Sequence, residues 1–276
     1  MIEVKNLTKK YADGTVALDR LSLRLNKRIT AVLGRNGAGK TTAIRILSTQ
    51  LLPTSGSASI NGLDIVSDAG MVRDVISSIP QEIKPMGIAN SYDHVAMYLN
   101  ARGIPSGEID SLVESALRDL NLWHIRKKPT ADLSGGMRRK VFVAMALASK
   151  AQVIFLDEPT TGLDPISRME VWAAIKKVSG TIVITTHYME EAKELAQEIV
   201  LIDHGKKLAQ GTVPELLRRF EGKVRVDGAR GKYKIGTNYI SYIKSAEAKK
   251  LLGKGYSIKQ VGLEDLFVIR GDTLES

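Results

Sequence analysis

The sequence predicts an α/β fold: a parallel sheet with helical crossovers, an antiparallel sheet at its N-terminal end, a helical lobe set into the middle, and a small α+β domain last. Three observations predict it. Short apolar runs alternate with helical patterns, at 29–34 before a helix from Lys40, at 153–157 before one near Ser167, and at 181–185 before one near Met189. Strands spaced by helices pair in parallel, because each helix carries the chain back along the sheet. Residues 2–9 and 18–25 are strand-like with no helix between them, which suits antiparallel pairing. Between about 90 and 131, Val95, Leu99, Leu112, Ala116 and Leu120 fall at helical spacing and mark an insertion.

Taken in order, the opening strand pattern is followed by Ile60-Asn61-Gly62-Leu63, a hairpin turn whose Asn-Gly pair tolerates left-handed backbone. The strand at 29–33 runs into Gly34-Arg35-Asn36-Gly37-Ala38-Gly39-Lys40-Thr41-Thr42, and a helix follows. This is the phosphate-loop pattern in the place its mechanism requires. Its glycines let backbone N–H groups turn toward phosphate oxygens, and the helix N-terminus adds the positive end of its dipole. Gly34, Asn36, Gly37, Ala38, Gly39 and Thr42 are expected to line a cradle for a nucleotide's phosphates. Lys40 would neutralise β- and γ-phosphate oxygens, and the Thr41 hydroxyl would ligate Mg²⁺. At the end of the apolar strand, Asp157 and Glu158 stand side by side. Neighbouring residues of a strand point opposite ways, so Asp157 is expected in the Mg²⁺ shell and Glu158 as the base that polarises the attacking water.

Leu133-Ser134-Gly135-Gly136-Met137 precedes a helical pattern at 137–149 and makes a second anion cradle from one serine and two glycines. These residues resemble the signature of ATP-binding-cassette (ABC) ATPases, and the resemblance covers about residues 1–220. It implies a P-loop ABC ATPase core over 1–221, with a helical subdomain inserted at about 90–150. It also implies a head-to-tail pair of subunits, in which Ser134, Gly135 and Gly136 of one close on the γ-phosphate held by the other. Four further residues take roles from the same resemblance. Tyr11 resembles the aromatic that stacks on adenine. Gln81, after the strand pattern at 75–80, matches the glutamine that touches Mg²⁺ and the attacking water and senses the membrane subunit. Asp164, closing Thr161-Gly162-Leu163-Asp164, falls at the dimer seam. His187 matches the switch histidine that contacts γ-phosphate and orients Glu158. Met137 stands where the family usually has Gln, as in its drug-export-like branch. Leu263-Glu264-Asp265-Leu266-Phe267 resembles a C-terminal element of that branch, and an amphipathic core helix is an equal account of it.

With 276 residues, 43% of them hydrophobic, the chain is long enough for a substantial core. It has no run of about 18 apolar residues and no leader pattern, so a cytoplasmic chain is expected, and the resemblance implies that it lies on the inner face of the membrane. Zero cysteines exclude disulfides, thiolate catalysis and Cys-type zinc sites. The formal charge is +10, and from Lys223 onward eleven Lys and Arg face six Asp and Glu. No Lys/Arg run exceeds three residues, which favours a solvated surface over nucleic-acid contact. Strand patterns at 223–226, 232–235 and 239–243, a helix from Ala246 and an amphipathic segment from Leu263 make 222–276 a small basic accessory domain.

The expected function is the ATP-hydrolysing subunit of an ABC transporter. It would act with a separate integral membrane permease and a second ATP-binding subunit, either the same chain or a close relative. The resemblances at Met137 and in the tail favour an exporter; an importer ATPase is the alternative on direction. A soluble cassette acting on nucleic acid or ribosomes is opposed by the 52 positions from Gln81 to Leu133, too few for a long coiled coil, and by the presence of one cassette. A module that binds ATP without cleaving it is opposed by the presence of Glu158, Gln81 and His187 together.

Overall fold

The computed structural model describes residues 1–79, 87–228, 230–251 and 255–271. They form two compact units, Met1–Gln210 and Gly211–Ser276.

The first unit opens on β1 (Ile2–Lys10) and β2 (Val16–Leu25), antiparallel with Ile2 opposite Leu25. Ile2, Val4, Leu7, Leu18, Leu21, Leu23 and Leu25 are buried, so each strand turns an apolar side inward. β3 (Ile29–Leu33) joins a different sheet and ends at the loop that starts α1 (Lys40–Leu47). β4 (Ser55–Ile60) returns to pair with β1. The Asn61-Gly62 turn, both residues at positive φ, then folds β5 (Leu63–Asp64) back with Leu63 opposite Ile60.

α2 (Ala69–Val75) leads into β6 (Ile76–Ile79). The helical insertion follows as α3 (Ser91–Ala101), α4 (Ser106–Asp119) and α5 (Gly135–Ala148), which pack on one another. α5 starts two residues before the expected helix, because Ser134 caps it and both glycines fall in its first turn. Then come β7 (Val153–Asp157), α6 (Pro165–Lys177), β8 (Thr181–Thr186), α7 (Met189–Leu195), β9 (Glu198–Asp203) and β10 (Lys206–Gly211).

The six-stranded sheet has the order β10-β9-β3-β8-β7-β6, with β9 through β6 parallel. Every residue of β3 and β7 is buried, as expected of parallel strands covered on both faces. Val32, Val153, Phe155, Val183, Val200 and Ile202 share one core with α1 and the antiparallel sheet. The register matters for function: Leu33 lies opposite Thr186, and Asp157 opposite Thr185. The carboxyl ends of β3, β7 and β8 are therefore level. Open α/β sheets bind ligands at that edge.

In the second unit, α8 (Val213–Leu217) carries a capping box between Thr212 and Glu215. β11 (Lys223–Gly228), β12 (Tyr233–Ile235), β13 (Asn238–Lys244), α9 (Ser245–Ala248), β14 (Ser257–Lys259) and α10 (Glu264–Gly271) follow. The strands form an antiparallel sheet ordered β12-β13-β11-β14, with Val226, Ile240, Ala248, Leu263 and Leu266 buried in the unit. The fold class is as expected: a mixed α/β cassette core, a helical insertion and an α+β tail.

Candidate active site

The loop between β3 and α1 is shaped by close backbone approaches. A Cβ on Gly34 would lie 2.5 Å from the Ile202 carbonyl oxygen, and one on Gly39, at φ 99°, would lie 2.4 Å from that of Ala17. Only glycine fits either position. A turn from the neighbouring hairpin braces the loop, with the Gly205 N–H donating to the Ala38 carbonyl at 3.0 Å. Lys40 opens α1 and is buried; its ammonium donates to the carbonyls of Gly34 and Arg35 at 2.9 and 3.1 Å and lies 3.5 Å from Glu158 Oε1. Residues 36–42 bound a cavity of about 470 Å³, completed by Ala17, Glu158, Thr161 and His187. Thr41 is among them.

β7 delivers the carboxylates to the same edge. Asp157 is buried and accepts a hydrogen bond from the Thr185 hydroxyl. Glu158 is buried too, and its φ of 49° is left-handed. Its Oε1 lies 3.2 Å from His187 Nδ1, and its Oε2 accepts from the Thr161 hydroxyl at 3.0 Å. Burial pushes the Glu158 carboxyl up, but the bonds from His187 and Thr161 and the charges of His187 and Lys40 outweigh it and hold it below its ordinary value. The group is therefore ionised at neutral pH. Because a carboxylate only accepts, the shared proton sits on His187 Nδ1.

Tyr11 sits beside the cradle, its hydroxyl 3.3 Å from Thr42 Oγ1 and the Lys9 ammonium 5.5 Å from its ring centre. Gln81 lies outside the described residues. The remaining candidates are elsewhere. Ser134 caps α5 by accepting the Met137 N–H at 3.1 Å, and Ser134 and Gly135 are exposed. Asp164 caps α6, accepting the N–H groups of Ile166 and Ser167 at 3.0 Å each. The bonds from Ser167 hold its carboxyl below the usual range. The two caps are neighbours, since a Cβ on Gly136 would lie 3.2 Å from the Leu163 side chain. Neither Ser134, Gly135, Gly136 nor Asp164 lines the cavity.

Sequence reasoning missed Ala17, Thr161 as a ligand of Glu158, Thr185, Arg139 and Gly205. Only Gly205 carried a readable signal, the His204-Gly205 turn, where both residues have positive φ. The arrangement joins a backbone cradle and a buried ammonium to an ionised carboxylate aimed by a histidine. That set can hold a polyphosphate and draw the proton from a water attacking it. For a cation, Thr41 and Asp157 offer oxygen only, the donor type that Mg²⁺ prefers. Among the described residues no group of three or more His, Cys, Asp or Glu could hold a metal by itself, so phosphate and water oxygens would have to complete the shell.

The pattern of the ABC transporter family matches residues 18–161. The chain is 39% identical over 223 residues to the doxorubicin resistance ATP-binding protein DrrA of Mycobacterium tuberculosis, covering 79% of this chain and 67% of that protein. It is 40% identical over 213 residues to the human retinal-specific phospholipid-transporting ATPase ABCA4, covering 76% of this chain and 9% of that protein. Among solved structures, an ATP-binding subunit of an ABC transporter superposes with a TM-score of 0.73 at 25% identity, over 80% of this chain and 93% of that one. A dimeric post-hydrolysis cassette, MJ0796 with ADP and phosphate, shares the fold at a TM-score of 0.70 and 23% identity, over 77% of this chain and 98% of that one. With a phosphate loop, a paired carboxylate and a histidine meeting at one sheet edge, and with relatives of this kind, the chain belongs to the ABC transporter family as an ATP-binding subunit that hydrolyses ATP.

Proposed function

We propose that this subunit works as a head-to-tail pair on the inner face of the membrane, beneath a separate integral membrane permease, and drives export. One observation carries the paired state. Besides the loop at 34–42 the chain presents a serine-glycine turn at the start of α5, and Ser134, Gly135 and Gly136 line no part of the cavity that holds Lys40 and Glu158. A second cradle unable to serve its own chain's phosphate finds its use on the phosphate of another copy.

In this reading, the N–H groups of residues 34–42 and the Lys40 ammonium hold the β- and γ-phosphates, and Tyr11 stacks on the adenine. Thr41 and Asp157, together with Gln81, would hold Mg²⁺, which would supply neutralisation of phosphate charge. Glu158 takes the proton of the attacking water, and His187 keeps it oriented. Ser134, Gly135 and Gly136 of the second copy cap the γ-phosphate, with Asp164 at the seam. Cleavage removes the charge that bridges the two copies, and the pair reopens. A permease docked near Gln81 and the helical subdomain converts that movement into transport. No helix among the described residues is long and apolar enough to cross a membrane, consistent with a separate spanning partner. Export is supported by Met137 and by relatives named for doxorubicin and daunorubicin resistance.

Glu158→Gln tests both halves. It keeps the shape and removes the base, so turnover measured by phosphate release falls on the order of 10²–10⁴-fold. At saturating MgATP the variant accumulates as dimers by light scattering; monomers under those conditions overturn the paired reading.

A further inference from the structure

Arg139 lies on α5, five positions after Ser134, and its guanidinium reaches backbone at the end of β7. Nη2 donates to the carbonyl of Asp157 and, at 2.7 Å, to that of Glu158, while Nε lies 3.4 Å from the carbonyl of Pro159. Three consecutive carbonyls converge on one side chain. On the other side of the residue, the Glu158 N–H is held by Thr185, 3.0 Å from its hydroxyl and 3.1 Å from its carbonyl. Both peptides of Glu158 are thus pinned, and between them φ is 49°. A residue with a Cβ keeps such a conformation only where its surroundings over-determine it. The cation is balanced where it sits: burial pulls the guanidinium below its ordinary value, against the attraction of Asp157, Glu158 and Glu191. Lysine offers a compact point charge in place of the planar fork that reaches these carbonyls.

We propose that Arg139 is a positioning residue for hydrolysis, holding the left-handed backbone that aims Glu158 and tying that aim to the helix that begins at the Ser134 cradle. The link rests on Glu158 being the base. A cradle that closes on a phosphate draws on the first turn of α5, and Arg139 passes that displacement to the Glu158 peptide. Positional errors of about 1 Å at a reacting group cost on the order of 10²-fold in rate.

The experiment compares Arg139→Met, Arg139→Lys and Glu158→Gln in the full chain, reading kcat, KM and Kd for MgATP, with the thermal midpoint as the check on folding. Arg139→Met is expected to lose on the order of 10²-fold in kcat with Kd changed less than about twofold, and Arg139→Lys to recover part of the loss. A folded Arg139→Met or Arg139→Lys with wild-type kcat overturns the proposal. So does a fall in kcat matched by an equal loss of MgATP binding, which marks general support of the fold. Should Arg139→Met not fold, Arg139→Lys decides alone. If Glu158→Gln itself remains active, the base assignment fails and Arg139's role falls with it; if Glu158→Gln is inactive while the Arg139 variants are not, only the positioning role fails.

Discussion

At the scale of single residues, Lys40 joins the backbone of its loop to the carboxylate at the end of β7. Its side chain is 4% exposed, and its ammonium holds two carbonyls while lying within reach of Glu158, so no mobile surface lysine can replace it. Lys40→Ala is expected to abolish ATP hydrolysis in a phosphate-release assay, and unchanged turnover would refute its role. Lys40 and Glu158 were legible in the sequence because each occupies a fixed place after an apolar strand, and His187 through its resemblance to the family's switch histidine. Thr185 and Arg139 were not. Both act through backbone groups of a neighbouring element, and a threonine at a strand end or an arginine in a helix carries no mark of that until register and packing bring the partner close.

At the scale of elements, the turn between β9 and β10 supports the phosphate loop. Gly205, at φ 73°, bonds Ala38 and packs on β2, where an added Cβ would meet the Ala17 carbonyl oxygen at 2.6 Å and Leu18 Cα at 2.8 Å. Gly205→Ala combines a left-handed alanine with backbone overlap and is expected to cost about 1–3 kcal/mol, seen as a lower midpoint in denaturation together with a raised KM for ATP. α4, with fourteen residues, was readable from helical spacing, and β3 and β7 from uninterrupted apolar runs. α8 and β14 were not, since five and three residues give too few positions for a period to declare itself. β10 escaped for another reason: its sequence, KKLAQG, is a polar edge whose strand character comes from β9 beside it.

At the scale of the whole molecule, the change of sequence texture near residue 221 marks where the strands of the tail begin, whereas compactness divides the chain between Gln210 and Gly211. The difference is α8 and the turn after it, where the buried Leu216 and Phe220 look like a continuation of the cassette when read as composition alone. The tail carries its own charge network: Arg225 bonds both Asp227 and the fully buried Asp265, and Lys259 bonds Asp227 at 2.7 Å. Burial pushes the Asp227 carboxyl up, but the bonds and charges of Arg225 and Lys259 outweigh it and leave it below its ordinary value. A carboxyl depressed on folding adds stability above its unfolded value of about 4, and that stability is lost as pH falls through the lower folded value. Denaturation of the tail between about pH 3 and 7 should therefore show an acid decline that Asp227→Asn flattens; identical pH profiles would show the network to be inert.

The serine turn at the start of α5 lines no part of its own chain's cavity. On the head-to-tail reading, injury spreads: a copy with a broken serine turn and a sound lysine loop still enters a pair and spoils the pocket of its healthy neighbour. A cell making both versions would therefore lose more than the damaged share of its pumps, and mutations at Ser134 would behave as dominant.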